Sequence, residues 1–267
     1  MLNLGIVGKK DKLSFEDFIE IIRMLRAPGG CPWDREQTHK SIRNDFLEEA
    51  YEAADAIDYS DDSALCEELG DVLLQIALHS QISSEEGSFD ISDVIDTVAR
   101  KMIIRHPHVF GDTKVKNSDE VLSNWDKIKM DEKSQSTVTD TLKSVPRAFP
   151  ALMRAAKVQK RASKAGFDWP DYHGAASKLA EETAELSSAI EKGNDAEIME
   201  EFGDLLFSAV NLSRFLKINA EESLARATDK FIDRFEKVEA LAAERDIDMQ
   251  NSSLEELDRL WDEVKAK

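Results

Sequence analysis

The chain has 267 residues, a length that fits one large domain or two modest ones. Its 35 basic and 54 acidic residues give a formal net charge of −19, which argues against a surface for nucleic acid or for an anionic membrane, because both need clustered lysine and arginine. The two cysteines, Cys31 and Cys66, lie in unrelated contexts, so the sequence predicts neither a disulfide framework nor a thiolate metal site.

The start of the chain, "MLNLGIVGKKDKLSF", contains only a short apolar patch before a charged run, so we expect no secretory signal. No later apolar run approaches the length of a membrane span, and the sequence therefore predicts a cytoplasmic protein. Apolar residues from Phe15 to Leu25 then fall on one helical face, and Ser14 with Asp17 forms a capping-box pattern before them. Strand patterns are nearly absent, so the chain is predicted to be all-α.

Two acidic strings follow, at residues 47–74 and 180–207. Each contains Glu-Glu-x-x-Glu, a spacer of fourteen residues, and Glu-Glu-x-Gly-Asp-x-Leu. A lone acidic pair at helical spacing is expected by chance in so acidic a chain, whereas eight fixed identities repeated without a shift in spacing are not. The repetition therefore indicates a duplicated unit of about 110–130 residues, which is an ordinary domain size.

The boundary between the two units is predicted near the middle of the chain. The run "MDEKSQSTVTDTLKSVP" is rich in serine and threonine and ends in proline, which favours a linker. We therefore predict tandem helical-bundle domains at 1–130 and 147–267, joined by a linker at 131–146.

The acidic strings have the spacing of a metal site. Residues at i and i+3 share a helix face, so Glu182 and Glu185 point the same way, as do Glu201 and Asp204. A turn near residues 191–197 would fold the two helices into an antiparallel hairpin and bring the four carboxylates together. Like charges in a low dielectric repel, so such a cluster needs divalent cations, and ligation by oxygen alone favours Mg²⁺ or Mn²⁺.

Cationic residues near this cluster favour a polyphosphate substrate. Lys178 lies four residues before Glu182 on the same face, and Lys230 and Arg234 lie four residues apart on a later helix. An ammonium and a guanidinium beside a carboxylate–metal cluster suit a phosphate chain. Alternatively, Lys230 and Arg234 pair with surface acids, and Trp261 either stacks on a base or belongs to the core.

Further segments carry a resemblance to a known family. With the two acidic strings, "GGCPWDREQTH", "RHPHVF" and "AGFDW" make nearly the whole chain resemble the two-domain bacterial form of the MazG-type nucleoside triphosphate pyrophosphohydrolases, which belong to an all-α superfamily. The resemblance implies a homodimer that needs Mg²⁺. It also implies cleavage of nucleoside triphosphates between the α and β phosphates, giving the monophosphate and pyrophosphate.

The resemblance also implies site residues in the C-terminal half. Its metal ligands fall on Glu182, Glu185, Glu201 and Asp204. Its nucleotide contacts fall on Lys178, Glu181, Glu197, Ile198, Met199, Glu200, Lys230, Arg234 and Trp261. The catalytic set predicted from these is Glu181, Glu182 and Glu200, in which Glu181 or Glu200 takes the proton of the attacking water.

The N-terminal half retains a possible second site with one departure. It keeps the acidic residues Glu49, Glu52, Glu68 and Asp71, together with Lys101, Arg105 and Trp125. Asp45 stands where Lys178 stands in the C-terminal half, and a carboxylate there repels a phosphate. The C-terminal half is therefore predicted to perform the main chemistry.

Three alternatives stay open at the level of sequence. The first is an enzyme with a narrower specificity, for dUTP or dCTP only. The second is an enzyme whose substrate is a phosphoribosyl nucleotide. The third, from a different class, is a non-catalytic acidic module that binds metal or nucleotide and serves as a regulatory partner. A homodimer is predicted independently, because Leu205, Phe207, Val210 and Leu212 exceed what one buried helix face needs.

Overall fold

A computed structural model describes residues 11–132 and 137–266 of the chain. In those residues it contains thirteen helices and no strand, which confirms the all-α prediction. The first seven helices are α1 Phe15–Arg26, α2 Pro32–Glu36, α3 Arg43–Asp58, α4 Asp62–Glu85, α5 Ile91–Arg105, α6 Pro107–Phe110 and α7 Ser118–Glu132. The others are α8 Val138–Lys143, α9 Ala151–Lys164, α10 Tyr172–Lys192, α11 Asp195–Phe215, α12 Ala220–Glu244 and α13 Leu254–Ala266.

The chain divides into two compact units, residues 1–129 and 130–267. In the part of the chain that the structure describes, no helix combines the length and apolarity that a membrane crossing requires. Residues 1–10 lie outside the described residues. The prediction about a secretory signal rests on this part of the chain.

In the first unit, α1 packs on α4, and α3 folds back on α4. Helix α1 begins with the predicted capping box: the Ser14 hydroxyl accepts a hydrogen bond from the Asp17 backbone N–H, and the Asp17 carboxylate accepts one from the Ser14 backbone N–H. Ile22 and Leu78 are buried where the two helices meet. The apolar face read from the sequence is therefore the face that α1 buries.

In the second unit, α10 and α11 pack along each other, while α12 packs on α9 and α13. The contact between α12 and α13 is apolar, with Val238, Ala242 and Leu260 buried in it. Both units thus contain one hairpin made of the two acidic helices, and this hairpin positions the candidate site.

The two hairpins turn in the same way. In the second unit Gly193 ends α10 with a φ of 68°, and the Asn194 side chain caps α11. In the first unit the equivalent residues are Ser60, with a φ of 56°, and Asp61, whose side chain caps α4. A left-handed backbone costs a residue other than glycine about 1–2 kcal/mol, so the first unit tolerates a strain that Gly193 avoids.

Part of the segment interpreted as a linker is a folded element. Within 131–146 lies helix α8, which begins with a capping box between Thr137 and Asp140. Arg161 on α9 donates hydrogen bonds to the Thr141 carbonyl and, at 2.8 Å, to the Ser144 hydroxyl. Serine and threonine serve helix caps as well as linkers, so composition alone did not separate the two. Residues 133–136 lie outside the described residues, and the domain boundaries stay a prediction.

Candidate functional site

The acidic residues of α10 and α11 form a compact cluster. Glu182, Glu201 and Asp204 each offer a carboxylate oxygen, and these oxygens all lie within 4.8 Å of one another. Glu182 is only 4% exposed, although carboxylates are rarely buried without a partner. The hairpin explains the approach, because it sets the i, i+3 pair of α11 against Glu182 on α10. The structure therefore brings together three of the four predicted metal ligands.

Glu185, the fourth predicted ligand, lies outside this set. It is exposed on α10 one turn after Glu182. Desolvation raises the pKa of Glu185 above its ordinary value of 4.5, while Lys178 lowers it and the charges of Glu182 and Glu201 raise it further. Glu185 is thus at the edge of the cluster, where the charges of the other carboxylates raise its pKa.

Lys178 pairs with the cluster directly. Its Nζ lies 2.8 Å from Oε1 of Glu181 and 2.7 Å from Oε1 of Glu182. These two hydrogen bonds raise the pKa of Lys178 strongly, so the ammonium stays charged. The side chain remains more than one third exposed, which leaves it accessible from solvent. The lysine therefore balances the charge of buried Glu182 and keeps part of its side chain exposed to solvent.

The other predicted contacts on α11 lie in its first two turns. Glu197 is 3.5 Å from the Nζ of Lys192, Ile198 is half-buried, and Met199 and Glu200 are exposed. Glu200 directly precedes Glu201 of the cluster, as Glu181 directly precedes Glu182. Both predicted proton acceptors are therefore solvent-accessible neighbours of cluster carboxylates.

The two cations predicted on α12 are available to a ligand. Lys230 is exposed and Arg234 is half-buried, and within residues 11–132 and 137–266 neither forms an ion pair. The alternative that they pair with surface acids is therefore not what the structure shows. Trp261 is half-buried in the α12–α13 cluster, with its ring centroid 5.1 Å from that of Phe231. Its surroundings match the core interpretation more closely than an open stacking surface.

The N-terminal half repeats the carboxylate cluster without the lysine. Oxygens of Glu49, Glu68 and Asp71 lie within 4.8 Å of one another, and Glu52 lies outside the set as Glu185 does. No lysine or arginine of the described residues pairs with these three carboxylates. Desolvation raises the pKa of Glu49 and of Glu68 above 4.5, and neighbouring carboxylates raise both further.

Gln75 lies beside the N-terminal cluster and is not part of the repeated acidic pattern. It lies four residues after Asp71 on α4, is buried, and its side chain hydrogen-bonds to Glu49. Its Oε1 has no hydrogen-bond partner among the described residues. In the sequence, the only indication of this role is a glutamine inside the apolar run "DVLLQIAL". A buried side-chain amide usually forms hydrogen bonds to other polar groups.

The raised pKa values predict how the metal-free protein responds to pH. Because the folded pKa of Glu49 and Glu68 lies above 4.5, their contribution to stability is present below that pH and is lost as the pH rises through the folded pKa. With a chelator present, we expect the melting temperature to fall as the pH rises above about 4.5, most steeply at low salt.

A divalent cation should reverse that loss. A cation held by the ionised carboxylates would stabilise the folded chain, so we expect Mg²⁺ to raise the melting temperature more at about pH 7 than at about pH 5. The double variant Glu49→Gln, Glu68→Gln should reduce both effects. Melting curves with equal slopes against pH in wild type and variant would contradict the assignment of the shift to these two groups.

Comparison with known proteins shows which family the chain is similar to. The family model for the MazG nucleotide pyrophosphohydrolase domain matches the chain twice, at residues 37–110 and 172–239, so each match contains one acidic hairpin. The chain is 43% identical over 258 residues to the nucleoside triphosphate pyrophosphohydrolase/pyrophosphatase MazG of Thermotoga maritima, covering 97% of this chain and 98% of that protein.

Two further relatives extend the comparison. The nucleoside triphosphate pyrophosphohydrolase of Escherichia coli K12 is 42% identical over 252 residues, covering 93% of this chain and 96% of that protein. The uncharacterized protein YabN of Bacillus subtilis is 48% identical over 261 residues, which are 96% of this chain and 53% of YabN. Trp125 and Trp261 lie outside both regions matched by the family model.

Proposed function

The chain belongs to the MazG nucleotide pyrophosphohydrolase family, and on that premise we propose that it hydrolyses nucleoside triphosphates between the α and β phosphates, releasing a nucleoside monophosphate and pyrophosphate. The observation that carries the proposal is the cluster of Glu182, Glu201 and Asp204 with Lys178 bonded to its buried member. This reaction requires oxygen ligands that hold a cation, and close to them an ammonium group that binds the phosphate chain.

The donor set fits a hard divalent cation. All the candidate ligands are carboxylate oxygens, and this chemistry suits Mg²⁺, with Mn²⁺ as a substitute. Glu182, Glu201 and Asp204 would hold the ion, and Glu185 would join them by a change of side-chain rotamer. The bound ion supplies charge stabilisation at the phosphates and lowers the pKa of a coordinated water.

The chain's own residues have three tasks in this reaction. Lys178, Lys230 and Arg234 bind the negatively charged phosphates, and the two α12 cations receive the charge of the leaving pyrophosphate. A water attacks the α-phosphorus, the P–O bond to the β-phosphate breaks, and Glu181 or Glu200 accepts the proton of the water. Trp261 is proposed as a further nucleotide contact, on the resemblance alone.

We also propose that the working form is a homodimer. Of the four residues on which the sequence-based prediction rests, Val210 is buried and Leu205 and Leu212 are half-buried, whereas Phe207 is exposed. Further large apolar side chains are exposed on α11 and on α12, among them Phe202, Leu206, Phe231, Ile232 and Phe235. Exposed apolar surface of this kind marks interaction sites. Sedimentation of a monomer at micromolar concentration would contradict the dimer.

Product analysis tests the proposed reaction. The purified protein is incubated with a panel of ribonucleoside and deoxyribonucleoside triphosphates and Mg²⁺ in water enriched in heavy oxygen. We expect pyrophosphate as the product, with the label in the nucleoside monophosphate, because attack at the α-phosphorus puts the water oxygen there. Label in inorganic phosphate would place the cleavage elsewhere. No turnover of any triphosphate, with Mg²⁺ bound, would favour the non-catalytic binding module. The cytoplasmic location stays a prediction.

A further inference from the structure

The acidic hairpin of the second unit is closed by its own turn at one end only. Gly193 and Asn194 connect α10 to α11 there, whereas the chain does not join Tyr172, at the start of α10, directly to Phe215, at the end of α11. At about 1.5 Å per residue, Glu182 lies about 16 Å along α10 from the turn and about 15 Å from the start of the helix. The carboxylate cluster therefore lies near the middle of the hairpin, and its geometry depends on the open end as well as on the turn.

A short segment at this open end is attached to α11. Residues 165–171, which we call the strap, connect the end of α9 to the start of α10. The Asp168 carboxylate of the strap accepts a hydrogen bond of 2.7 Å from the guanidinium of Arg214, and the two side chains are only 26% and 18% exposed. The same guanidinium nitrogen donates to Oδ1 of Asn211 at 2.9 Å, which fixes its direction. A charge-assisted hydrogen bond in such a sheltered place is stronger than one on an open surface, so it holds the strap against α11.

The next residue of the strap is attached to α10. The ring of Trp169 packs on Gly174 in the first turn of α10, and a Cβ at this glycine would lie 2.7 Å from the ring atoms Cδ2 and Cε3. No side-chain carbon fits at that distance, so the ring needs the bare backbone of a glycine. The Asp168 carboxylate also accepts a hydrogen bond from the Trp169 backbone N–H at 3.0 Å. One series of contacts therefore runs from α10 through Trp169 and Asp168 to Arg214 on α11.

The strap is not packed against its surroundings along its whole length. A cavity of about 290 Å³ is lined by residues of the strap, of α9 and of α11, among them Phe167, Val158 and Phe207. The ring of Phe167 is 85% exposed, so it adds little apolar contact. The strap is therefore held by the individual contacts of Asp168 and Trp169 and not by a continuous apolar core, and loss of either contact should release it.

Helix α9 provides a fixed base for the strap. The backbone N–H of Phe167 donates to the Ala162 carbonyl at 3.1 Å, which attaches the beginning of the strap to the end of α9. The buried side chain of Gln159 donates from Nε2 to the Phe207 carbonyl at 2.7 Å, which attaches α9 to α11. Phe207 lies three residues after the cluster residue Asp204, so α9 supports α11 close to the carboxylates.

The cluster needs the two helices at a fixed separation. Glu182 comes from α10, while Glu201 and Asp204 come from α11, so the distance between the helices sets the distance between their carboxylates. A working metal site must be held within about 0.5 Å of its productive geometry. We propose that the strap fixes the helix separation at the open end of the hairpin and that Asp168 and Trp169 are positioning residues for the metal ligands, an inference that rests on the proposed function. They act through the two helices and not on the cation.

The experiment measures metal binding directly and without nucleotide. Mn²⁺ is titrated, and the electron paramagnetic resonance signal of the free ion gives the Kd. All proteins carry Glu49→Gln and Glu68→Gln, so that the N-terminal cluster does not contribute. Asp168→Ala breaks the contact with α11, and Gly174→Ala displaces the Trp169 ring from α10 while favouring the helix, because alanine is the better helix former. We expect each change to raise the Kd for Mn²⁺ on the order of tenfold, as for other groups that orient metal ligands.

The combination of the two changes distinguishes positioning from general damage. The two contacts lie in series, so breaking either one releases the strap, and the double variant Asp168→Ala, Gly174→Ala should bind Mn²⁺ no more weakly than either single variant. Independent effects would multiply instead. The matched control is Arg245→Met, which removes the 2.7 Å ion pair with Glu263 in the same unit. That pair does not involve the hairpin, so the control should leave the Kd unchanged.

Each result decides between the alternatives. If the Kd is unchanged in both single variants, if their effects multiply in the double variant, or if Arg245→Met raises the Kd equally, the strap does not position the metal ligands. A parent protein that binds no Mn²⁺ would overturn this inference together with the metal site of the proposed function. A wild-type protein that binds Mn²⁺ and turns over no triphosphate would overturn the proposed function alone.

Discussion

The substitution Glu182→Gln is expected to lower kcat/KM for nucleoside triphosphate hydrolysis on the order of 10³-fold. Glu182 is the buried member of the cluster and lies within 4.8 Å of both Glu201 and Asp204. Glutamine keeps the shape of the side chain and removes the charge that pairs with Lys178 and that, in our proposal, holds the cation. A loss of about 4 kcal/mol of transition-state stabilisation corresponds to this factor, and a metal centre supplies several kcal/mol.

The matched control is Glu49→Gln in the N-terminal half. Glu49 holds the equivalent place in the N-terminal hairpin, so the control removes the same charge from a carboxylate cluster that has no paired lysine. We expect it to leave most of the turnover. Both variants must first be shown to be folded and of unchanged oligomeric state, by circular dichroism and sedimentation. If Glu49→Gln removes the activity and Glu182→Gln does not, the working site is in the N-terminal half.

The second expected result is a graded loss of activity with the charge at position 178. Lys178→Asp gives the C-terminal half the residue that Asp45 provides in the N-terminal half. At an effective dielectric near 20, one unit charge about 4 Å away is worth about 4 kcal/mol before solvent screening. We take a quarter of this as effective, because Lys178 is partly exposed. By this reasoning Lys178→Met costs about fivefold in kcat/KM, and Lys178→Asp about thirtyfold.

Two observations distinguish this electrostatic effect from damage to the fold. The size of the loss should shrink as salt is added, since screening weakens the attraction between an exposed ammonium and a phosphate chain. Lys143→Asp makes the same change of charge at an exposed position on α8 and should leave kcat/KM unchanged. Equal activities for wild type, Lys178→Met and Lys178→Asp would show that Lys178 only neutralises Glu182.

The acidic spacing predicted which helix faces meet, because i and i+3 positions share a face whatever the rest of the fold does. It did not predict which carboxylates meet. A glutamate has three side-chain torsions, so its carboxylate can bond one neighbour and still lie too far from the others, as Glu185 does with Glu182. Glu52 and Glu185 are on the correct faces and still lie outside their clusters. Contacts between residues four apart on one helix, such as the pair of Lys178 and Glu182, can be predicted from the sequence.

A cavity in the second unit, lined by Gln159, Trp169 and Phe207 among others, could not be predicted from the sequence. Its residues come from α9, from α11 and from the segment between α9 and α10, and no single periodic pattern connects them. Gln159 in particular has ordinary neighbours in the sequence, and only tertiary packing shows that its Oε1 is buried and unpaired. The motif "AGFDW" indicated a family but gave no reason for its tryptophan. In the structure the Trp169 ring packs on Gly174, which lies five residues further along the chain.

The turns that close the two acidic hairpins limit which length changes the chain can survive. Each residue added to a helix advances it by about 1.5 Å and rotates it by about 100°, so one inserted residue would carry Glu201 and Asp204 to another side of α11. Replacement of a turn residue has no such effect, since Ser60 and Gly193 both adopt a left-handed backbone at equivalent positions. We therefore expect the turn to tolerate replacement of Gly193 at a cost of about 1–2 kcal/mol, and the segment between Glu185 and Glu200 to reject insertions and deletions.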